Sequence, residues 1–242
     1  MKIAILSDIH GNLEAFDSVL KYIDTQKDIN AFLFLGDLID YGPHSNEVIE
    51  MIKNIKLPIL CNIWGNHEYA IINKNYEKFS STRAIESAKY TFSKLSKKSI
   101  DYIKFNMKNE AMLELNISQL KCLCIHGNIK DNYWGKLSLS DNLNEYFEYD
   151  FVFSGHSHEP HFFEKYYKIN NKAKRNRKKT IFINPGSVGQ PRNQNSMAQF
   201  AIVDIITQEV IFKKIKYNIE KEMYCFSNNV DIFYKNRLKY GV

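Results

Sequence analysis

Ten short apolar runs are spread along the chain, and the first three are separated by segments with helical spacing. Lys2–Leu6, Ala31–Leu35 and Leu57–Cys61 read as strands. After the first, Leu13, Phe16, Val19, Leu20 and Ile23 recur with the helical period, and Glu47–Asn54 follows the second with Ser45 or Asn46 as candidate N-cap. A β-α-β-α order argues for a largely parallel sheet. Residues 80–106 read as one or two further helices. Met112–Leu115, Leu120–Ile125, Phe151–Ser154, Phe162–Ile169, Thr180–Asn184, Phe200–Asp204 and Val210–Lys216 then follow with little helix between them, which predicts a second, more antiparallel sheet. From Ile219 the pattern turns helical and ends in "VDIFYKNRLKYG", read as amphipathic. With no repeat and no Pro- or Ser-rich linker, the expectation is one α/β domain over 1–242, two packed sheets with helices outside. Residues 172–179 would be a basic hairpin-loop insertion and 219–242 a helical tail.

A chain of 242 residues, 44% apolar and 25% charged, can bury a sizeable core, which excludes disordered and collagen-like classes. "AFLFL" at 31–35 is among its longest apolar runs and is strand-sized, far short of the roughly 18 residues of a membrane helix. "MKIAILSD" reads as a core strand and not as a leader, so a cytoplasmic location is expected. Cys61, Cys122, Cys124 and Cys225 form no C-x-x-C pair. Cys122 and Cys124 are expected to face one side of a strand as small hydrophobes, with a thiolate metal site as the alternative. The net charge of +6 traces to "KAKRNRKK" at 172–179; without it the basic residues equal the 27 acidic ones. That run suits a solvated hairpin tip first and phosphate steering second.

The chemistry-bearing residues gather where the strands end. "SDIH" (Asp8, His10), "GDLIDYG" (Asp37, Asp40), "GNHE" (Asn66, His67) and "GHSH" (His156, His158) each follow an apolar strand, and "CIHG" (His126) follows the strand carrying two cysteines. A parallel sheet displays such loops for binding. Residues two apart in extended chain project to one side, so Asp8 with His10, and His156 with His158, suit an ion. An aspartate has two oxygens with which to bridge two ions, and a neighbouring glycine lets the backbone come close. Singly, each block is an ordinary loop or a satisfied polar pair. Five of the seven histidines in such blocks point to a metal centre. By residue type alone His67 would be the ligand and Asn66 a turn filler after Gly65.

These blocks resemble the calcineurin-like metallophosphoesterase superfamily, whose blocks read D-x-H, G-D-x-x-D, G-N-H-E/D, H and G-H-x-H; all five stand in that order over residues 8–158. "SDIHGNLEAF", "GDLIDYGPHSNEV" and "NPGSVGQPR" (184–192) are similar to a branch of small bacterial and archaeal phosphodiesterases. The resemblance implies a four-layer α-β-β-α sandwich of two mixed sheets flanked by helices. It implies two divalent metals, one on Asp8, His10 and His158, the other on Asn66, His126 and His156, with Asp37 bridging. It also implies His67 as the acid that protonates the leaving group and Asp40 as the carboxylate that orients its ring, reversing the roles suggested by residue type. The implied reaction is hydrolysis of a small phosphoester, foremost a phosphodiester, by in-line attack of a metal-bridging hydroxide. Carboxylate, amide and imidazole donors without thiolate suit Mn, Fe, Co, Ni or Zn better than Ca, with Mn placed first.

Arg192 in "QPR" is the candidate cation for a substrate phosphate, set against a structural salt bridge. Tyr133 and Trp134 are candidates for stacking on a base or aryl group, set against ordinary loop packing. His44 stands where relatives in the branch tend to have Asp, and suits a surface loop or the substrate; His161 has no assigned role. "HGNI" after His126 departs from the usual H-G-S-P. Two other functions compete. One is a nuclease or nucleotide pyrophosphatase of the dinucleoside polyphosphate type, favoured by the basic loop and by Tyr133 and Trp134. The other is a non-enzymatic scaffold with this fold, which the intact ligand set argues against. The expected partner is a small phosphoester or nucleotide, with nucleic acid less favoured and no membrane.

Overall fold

In a computed structural model covering residues 1–242, Lys2–Leu6 (β1) lies at the centre of a five-stranded sheet. Ile29–Phe34 (β2) and Ile59–Asn62 (β3) run parallel on one side of it, while Ala198–Asp204 (β9) and Glu209–Ile215 (β10) add antiparallel strands on the other, in the order β10-β9-β1-β2-β3. Met112–Ile117 (β4), Leu120–Ile125 (β5), Phe151–Ser154 (β6), His161–Lys168 (β7) and Arg177–Asn184 (β8) build a second sheet, ordered β4-β5-β6-β8-β7. There β5, β6 and β8 are parallel and the two outer pairs antiparallel. All ten expected strands are present. The contrast expected from element order, one parallel and one antiparallel sheet, gives way to the two mixed sheets that the resemblance implies: β9 and β10 return antiparallel to β1 in the first, and β5, β6 and β8 run parallel in the second.

Strand alternation explains how the sheets meet. Ile3, Ile5, Leu33 and Cys61 on one side face Cys122, Cys124, Phe151, Phe153, Ile181 and Ile183 on the other, all fully or almost fully buried. Each large apolar side chain in this layer contributes about 1.5–3 kcal/mol on burial. Cys122 and Cys124 therefore do share one face. The opposite faces of β1 and β2 pack against helices Leu13–Thr25 (α1) and Ser45–Lys53 (α2), with Asn66–Asn73 (α3), Thr82–Lys94 (α4) and Lys97–Asn106 (α5) extending the layer. The outer face of the second sheet is covered by segment 127–150, whose Leu137, Leu143, Tyr146 and Tyr149 close a small core over Leu123, Val152 and Phe182.

Three local expectations change. Neither Ser45 nor Asn46 caps α2: His44 holds the cap position without a side-chain bond to the helix backbone. Ser45 Oγ instead accepts the Asp40 N–H at 3.1 Å, and Asn46 bonds Lys94 O, Ser96 N and Ser99 Oγ across to α4 and α5. The Gly65-Asn66 step opens helix α3 and is not a free turn, because Glu68 folds back onto the Gly65 N–H at 2.7 Å. The C-terminal helix Ile232–Tyr240 (α7) is not amphipathic: it buries Tyr234 and Leu238, while Ile232 and Tyr240 are 63% and 59% exposed.

The helix before it, Ile219–Tyr224 (α6), ties the tail down. Its Glu222, fully buried, accepts the Leu13 and Glu14 N–H groups at 3.3 and 3.1 Å, at the positive end of α1. It also pairs with His44 Nδ1 at 3.0 Å. His44 therefore serves the fold and does not face the cleft. The bond and charge of Glu222 raise the His44 pKa against partial burial. Because the folded pKa is the higher one, this stabilisation is complete below the ordinary histidine range and is lost as pH rises through the raised value. We expect wild type to lose about 0.5–1 kcal/mol between about pH 6 and pH 8.5 relative to His44→Gln, read as the difference in urea midpoints at the two pH values.

Candidate active site

The parallel strands end in register. Leu6 pairs with Phe34, and Phe34 with Asn62, in one sheet; Ile125 pairs with Ser154 in the other. The chain leaves all five strands at the same edge, so the five motif loops converge in one crevice. There the loops lace together through their backbones: His10 N to Asp37 O at 2.9 Å, Gly155 N to His126 O at 3.0 Å and Gly189 N to Asp8 O at 3.0 Å. Asp8, His10, Asp37, Asp40, His156 and His158 all have φ between 49° and 75°, in the left-handed region. Each such residue costs about 1–3 kcal/mol, tolerated because the surroundings over-determine it. Asp8 and His10 thus face one point through left-handed turns, and the extended spacing read from the sequence is not the reason. At Gly65 a Cβ would fall on the Asp37 carboxylate, so only glycine lets α3 start there.

Two clusters of donor atoms share one aspartate. Asp8, His10, Asp37 and His158 form one group, and Asp37, His126 and His156 the other, each with its ligand atoms within 4.8 Å of one another. Asn66 joins the second, its Oδ1 3.0 Å from His126 Nε2 and 2.9 Å from His156 Nδ1. Three ring orientations are locked from behind. His10 Nδ1 donates to Ile39 O at 3.1 Å, His126 Nδ1 to Leu35 O at 2.6 Å and His158 Nδ1 to Gln190 O at 2.6 Å. That leaves each Nε2 with a lone pair turned inward. The Nε2 atoms of His10 and His158 then stand 3.3 Å apart with no proton between them, and Asp8 Oδ1 is buried without a hydrogen-bond partner 3.1 Å from His158 Nε2. Divalent cations satisfy all these atoms at once, so the residues present fit the metals that the family implies.

The electrostatics agree. Burial works against the Asp37 carboxylate, yet His126 and His67 hold it well below the usual range; His158 does the same for buried Asp8. Burial, reinforced by neighbouring positive charge, lowers His10 and His158 and brings His156 down to about 3. His126 is opposed by burial but drawn up to about 9 by Asp37, so positive charge is favoured at this point. Ionised carboxylates among the neutral imidazoles of His10, His156 and His158 are groups in the donor state a metal takes.

His67 stands apart from both clusters. Its Nδ1 lies 2.7 Å from Asp40 Oδ2, its N–H donates to Asp37 Oδ1 at 2.9 Å, and its ring is 3% exposed at the cleft. Burial opposes its charge, but Asp37 and the bond to Asp40 raise its pKa. Asp40 is anchored by residues without a sequence signal: Ser87 and Thr91 of α4 donate to its other oxygen at 2.7 and 2.8 Å. Glu68 stands in the "GNHE" block, but its task is not legible from the motif alone. Fully buried, it accepts the N–H groups of Asp37, Leu38, Ile39 and Gly65 at 2.7–3.2 Å, while burial and Asp37 push its carboxyl up to about 7.

A cleft of about 280 Å³ opens over the clusters. Trp134 and Arg192 line it; Tyr133 does not. Tyr133 packs on Tyr69 with ring centroids 4.6 Å apart and bonds Asn109 O through its hydroxyl, so packing is its role. Asn128, the departure in "HGNI", accepts the Lys130 and Asp131 N–H groups at 3.0 Å and donates to Lys136 O, shaping the loop that presents Trp134. His161 stacks on Phe163 at the start of β7 and does not line the cleft. The basic run lies elsewhere. Across β7 and β8, His161 pairs with Asn184 near the site and Lys168 with Arg177 at the far end, so the hairpin tip is about 20 Å or more distant. Lys178 and Lys179 are tied to Tyr149 O and Glu164.

Fold and centre together define a class: the chain belongs to the calcineurin-like phosphoesterase superfamily, whose domain model matches residues 1–208, and is a metal-dependent phosphoester hydrolase. It is 32% identical over 232 residues to an uncharacterised protein of Methanocaldococcus jannaschii, covering 90% of this chain and 89% of that one. An asymmetrical bis(5′-nucleosyl)-tetraphosphatase from Oceanobacillus iheyensis is 27% identical over 153 residues, 56% of this chain and 60% of its own. A solved metallophosphoesterase from Sphaerobacter thermophilus shares the fold over 100% of this chain and 99% of its own, with a TM-score of 0.76 at 23% identity. No helix is long and apolar enough to cross a membrane.

Proposed function

We propose that the protein is a dimetal phosphoesterase, foremost a phosphodiesterase, acting on a small ester. The observation that carries this reading is the locked set of imidazoles around Asp8 and Asp37. Asp8, His10 and His158 would hold one ion, Asn66, His126 and His156 the other, and Asp37 both, with Mn as first choice. Ions bound there lower the pKa of a water and neutralise phosphoryl charge. A water oxygen bonds phosphorus in line, losing a proton to solvent, as the P–O bond to the leaving oxygen breaks. His67 Nε2 gives that oxygen its proton while Asp40 holds Nδ1–H at 2.7 Å. Tyr41 packs on both His67 and His10, with centroids 4.5 and 4.7 Å away, and fixes the plane of the acid.

A nucleotide pyrophosphatase is the second reading, supported by the tetraphosphatase relative and by Trp134 at the cleft. A nuclease loses support, because the basic hairpin tip is remote from the cleft. Four cysteines, none in a disulfide, favour a cytoplasmic location. The test is metal reconstitution of purified protein followed by an aryl phosphodiester assay. Two ions per chain and turnover that a chelator abolishes are expected; absence of bound metal after reconstitution would overturn the proposal.

A further inference from the structure

Three guanidinium groups converge on the cleft from three separate parts of the chain. Arg83 comes from α4, Arg192 from the loop after β8 and Arg237 from α7, and all three line the space over the metal ligands. No aspartate or glutamate side chain pairs with any of them, whereas Lys21, Lys53, Lys97, Lys179 and Lys221 each pair with an acid. Arg192 carries a buried Nε with no hydrogen-bond partner.

Their positions are built. Phe233 of α7 holds Arg83 and Arg237 on its ring, with guanidinium carbons 4.0 and 4.4 Å from the centroid. Tyr234, the next residue, stacks on Tyr41 with centroids 4.1 Å apart, and so connects α7 to the histidines. The end of α7 is fastened to the loop beyond Arg192, where Gln194 N donates to Gly241 O at 2.8 Å and a Cβ on Gly241, at φ +65°, would meet the Asn195 backbone. Burial first, and then the charges of Arg192 and Arg83, lower Arg237 to about 10 against the opposing effect of Tyr41 and Tyr234. Arg237 Nε donates to the backbone oxygen of Val242, and with no carboxylate paired to any of the three guanidinium groups, their remaining N–H groups suit an anion. Arg192 stands two residues after Gln190, whose carbonyl holds His158 Nδ1, whereas Arg83 and Arg237 share Phe233, so the positive charge extends outward from the metal ligands.

The geometry points to a second anion site, formed by Arg83, Arg192 and Arg237, that binds a phosphate next to the scissile one and so selects esters of polyphosphates over esters with a single phosphate. It rests on the dimetal reading above. Its outer two arginines depend on α7, which lies beyond the residues 1–208 that match the family domain. The ligand class is an organic di- to tetraphosphate, and the hydrolysed bond is the P–O bond at the metal end.

The test uses the full-length Mn-loaded enzyme and a series with constant ends, diadenosine di-, tri- and tetraphosphate, beside a single-phosphate aryl diester. Expected is a kcat/KM at least about tenfold higher for the tri- or tetraphosphate than for the diester. In Arg83→Gln/Arg237→Gln that advantage should fall by about 10–100-fold, mainly through KM, while the diester changes less than the polyphosphates. Lys174→Gln, at the remote hairpin tip, should leave every ratio as in wild type. Equal losses on all substrates, or a wild type without preference for added phosphates, would overturn the second anion site and leave the hydrolase intact. No turnover of any substrate by metal-loaded wild type would overturn the dimetal reading itself.

Discussion

Asp37→Asn is expected to bring turnover down by at least about 10³-fold and metal content from two ions per chain to one or none. Even contacts behind a metal ligand are worth about 10–100-fold in affinity or activity, and Asp37 is the one carboxylate common to both clusters. Its Oδ2 is 3.6 Å from His10 Nε2 and 3.4 Å from His126 Nε2, so the substitution removes negative charge from both positions at once. The side-chain amide retains an oxygen for the His67 N–H now bonded to Oδ1, and the Glu68 bonds to the Asp37 loop are to backbone. The fold should therefore persist, seen as unchanged far-UV circular dichroism. Elemental analysis showing two ions bound to a folded Asp37→Asn protein would remove Asp37 from the bridging role.

His67→Ala should separate substrates by their leaving groups. General acid catalysis is worth about 10²–10⁴-fold, and it is needed only where the departing oxygen cannot leave as an anion. Esters of alkyl alcohols should lose about that factor in kcat, whereas an aryl ester whose phenolate is stable near neutral pH should lose much less. Metal content should remain at two ions per chain, because His67 makes its side-chain bond to Asp40 and belongs to neither donor cluster. A metal ligand would show the opposite signature, with metal lost and all leaving groups affected alike. The result therefore decides between the two roles open to the histidine of "GNHE".

Much of the fold was legible because strands and amphipathic helices announce themselves over five or more consecutive residues. The motif blocks were legible for a related reason, since each sits directly after a strand that the hydrophobic pattern already marks. Sheet membership was not, because nothing in β9 or β10 says which open edge will receive them. Helix α3 was hidden because its start depends on Glu68 satisfying N–H groups at Gly65 and in the Asp37 loop.

The sequence by itself determined the inventory of the centre: carboxylates, imidazoles and one amide at strand ends, in an order that marks the superfamily. Tertiary structure alone decided how these groups are oriented and what surrounds them. It turned three Nδ1 atoms toward backbone carbonyls, set Ser87 and Thr91 behind Asp40, sent Tyr133 into the packing and His44 to Glu222, and carried the basic hairpin away from the cleft. It also drew Arg83, Arg192 and Arg237 together from positions up to 154 residues apart. The physical reason is range: hydrophobic periodicity is a local property of the chain, whereas hydrogen-bond partners and converging charges are set by which distant segments pack against each other.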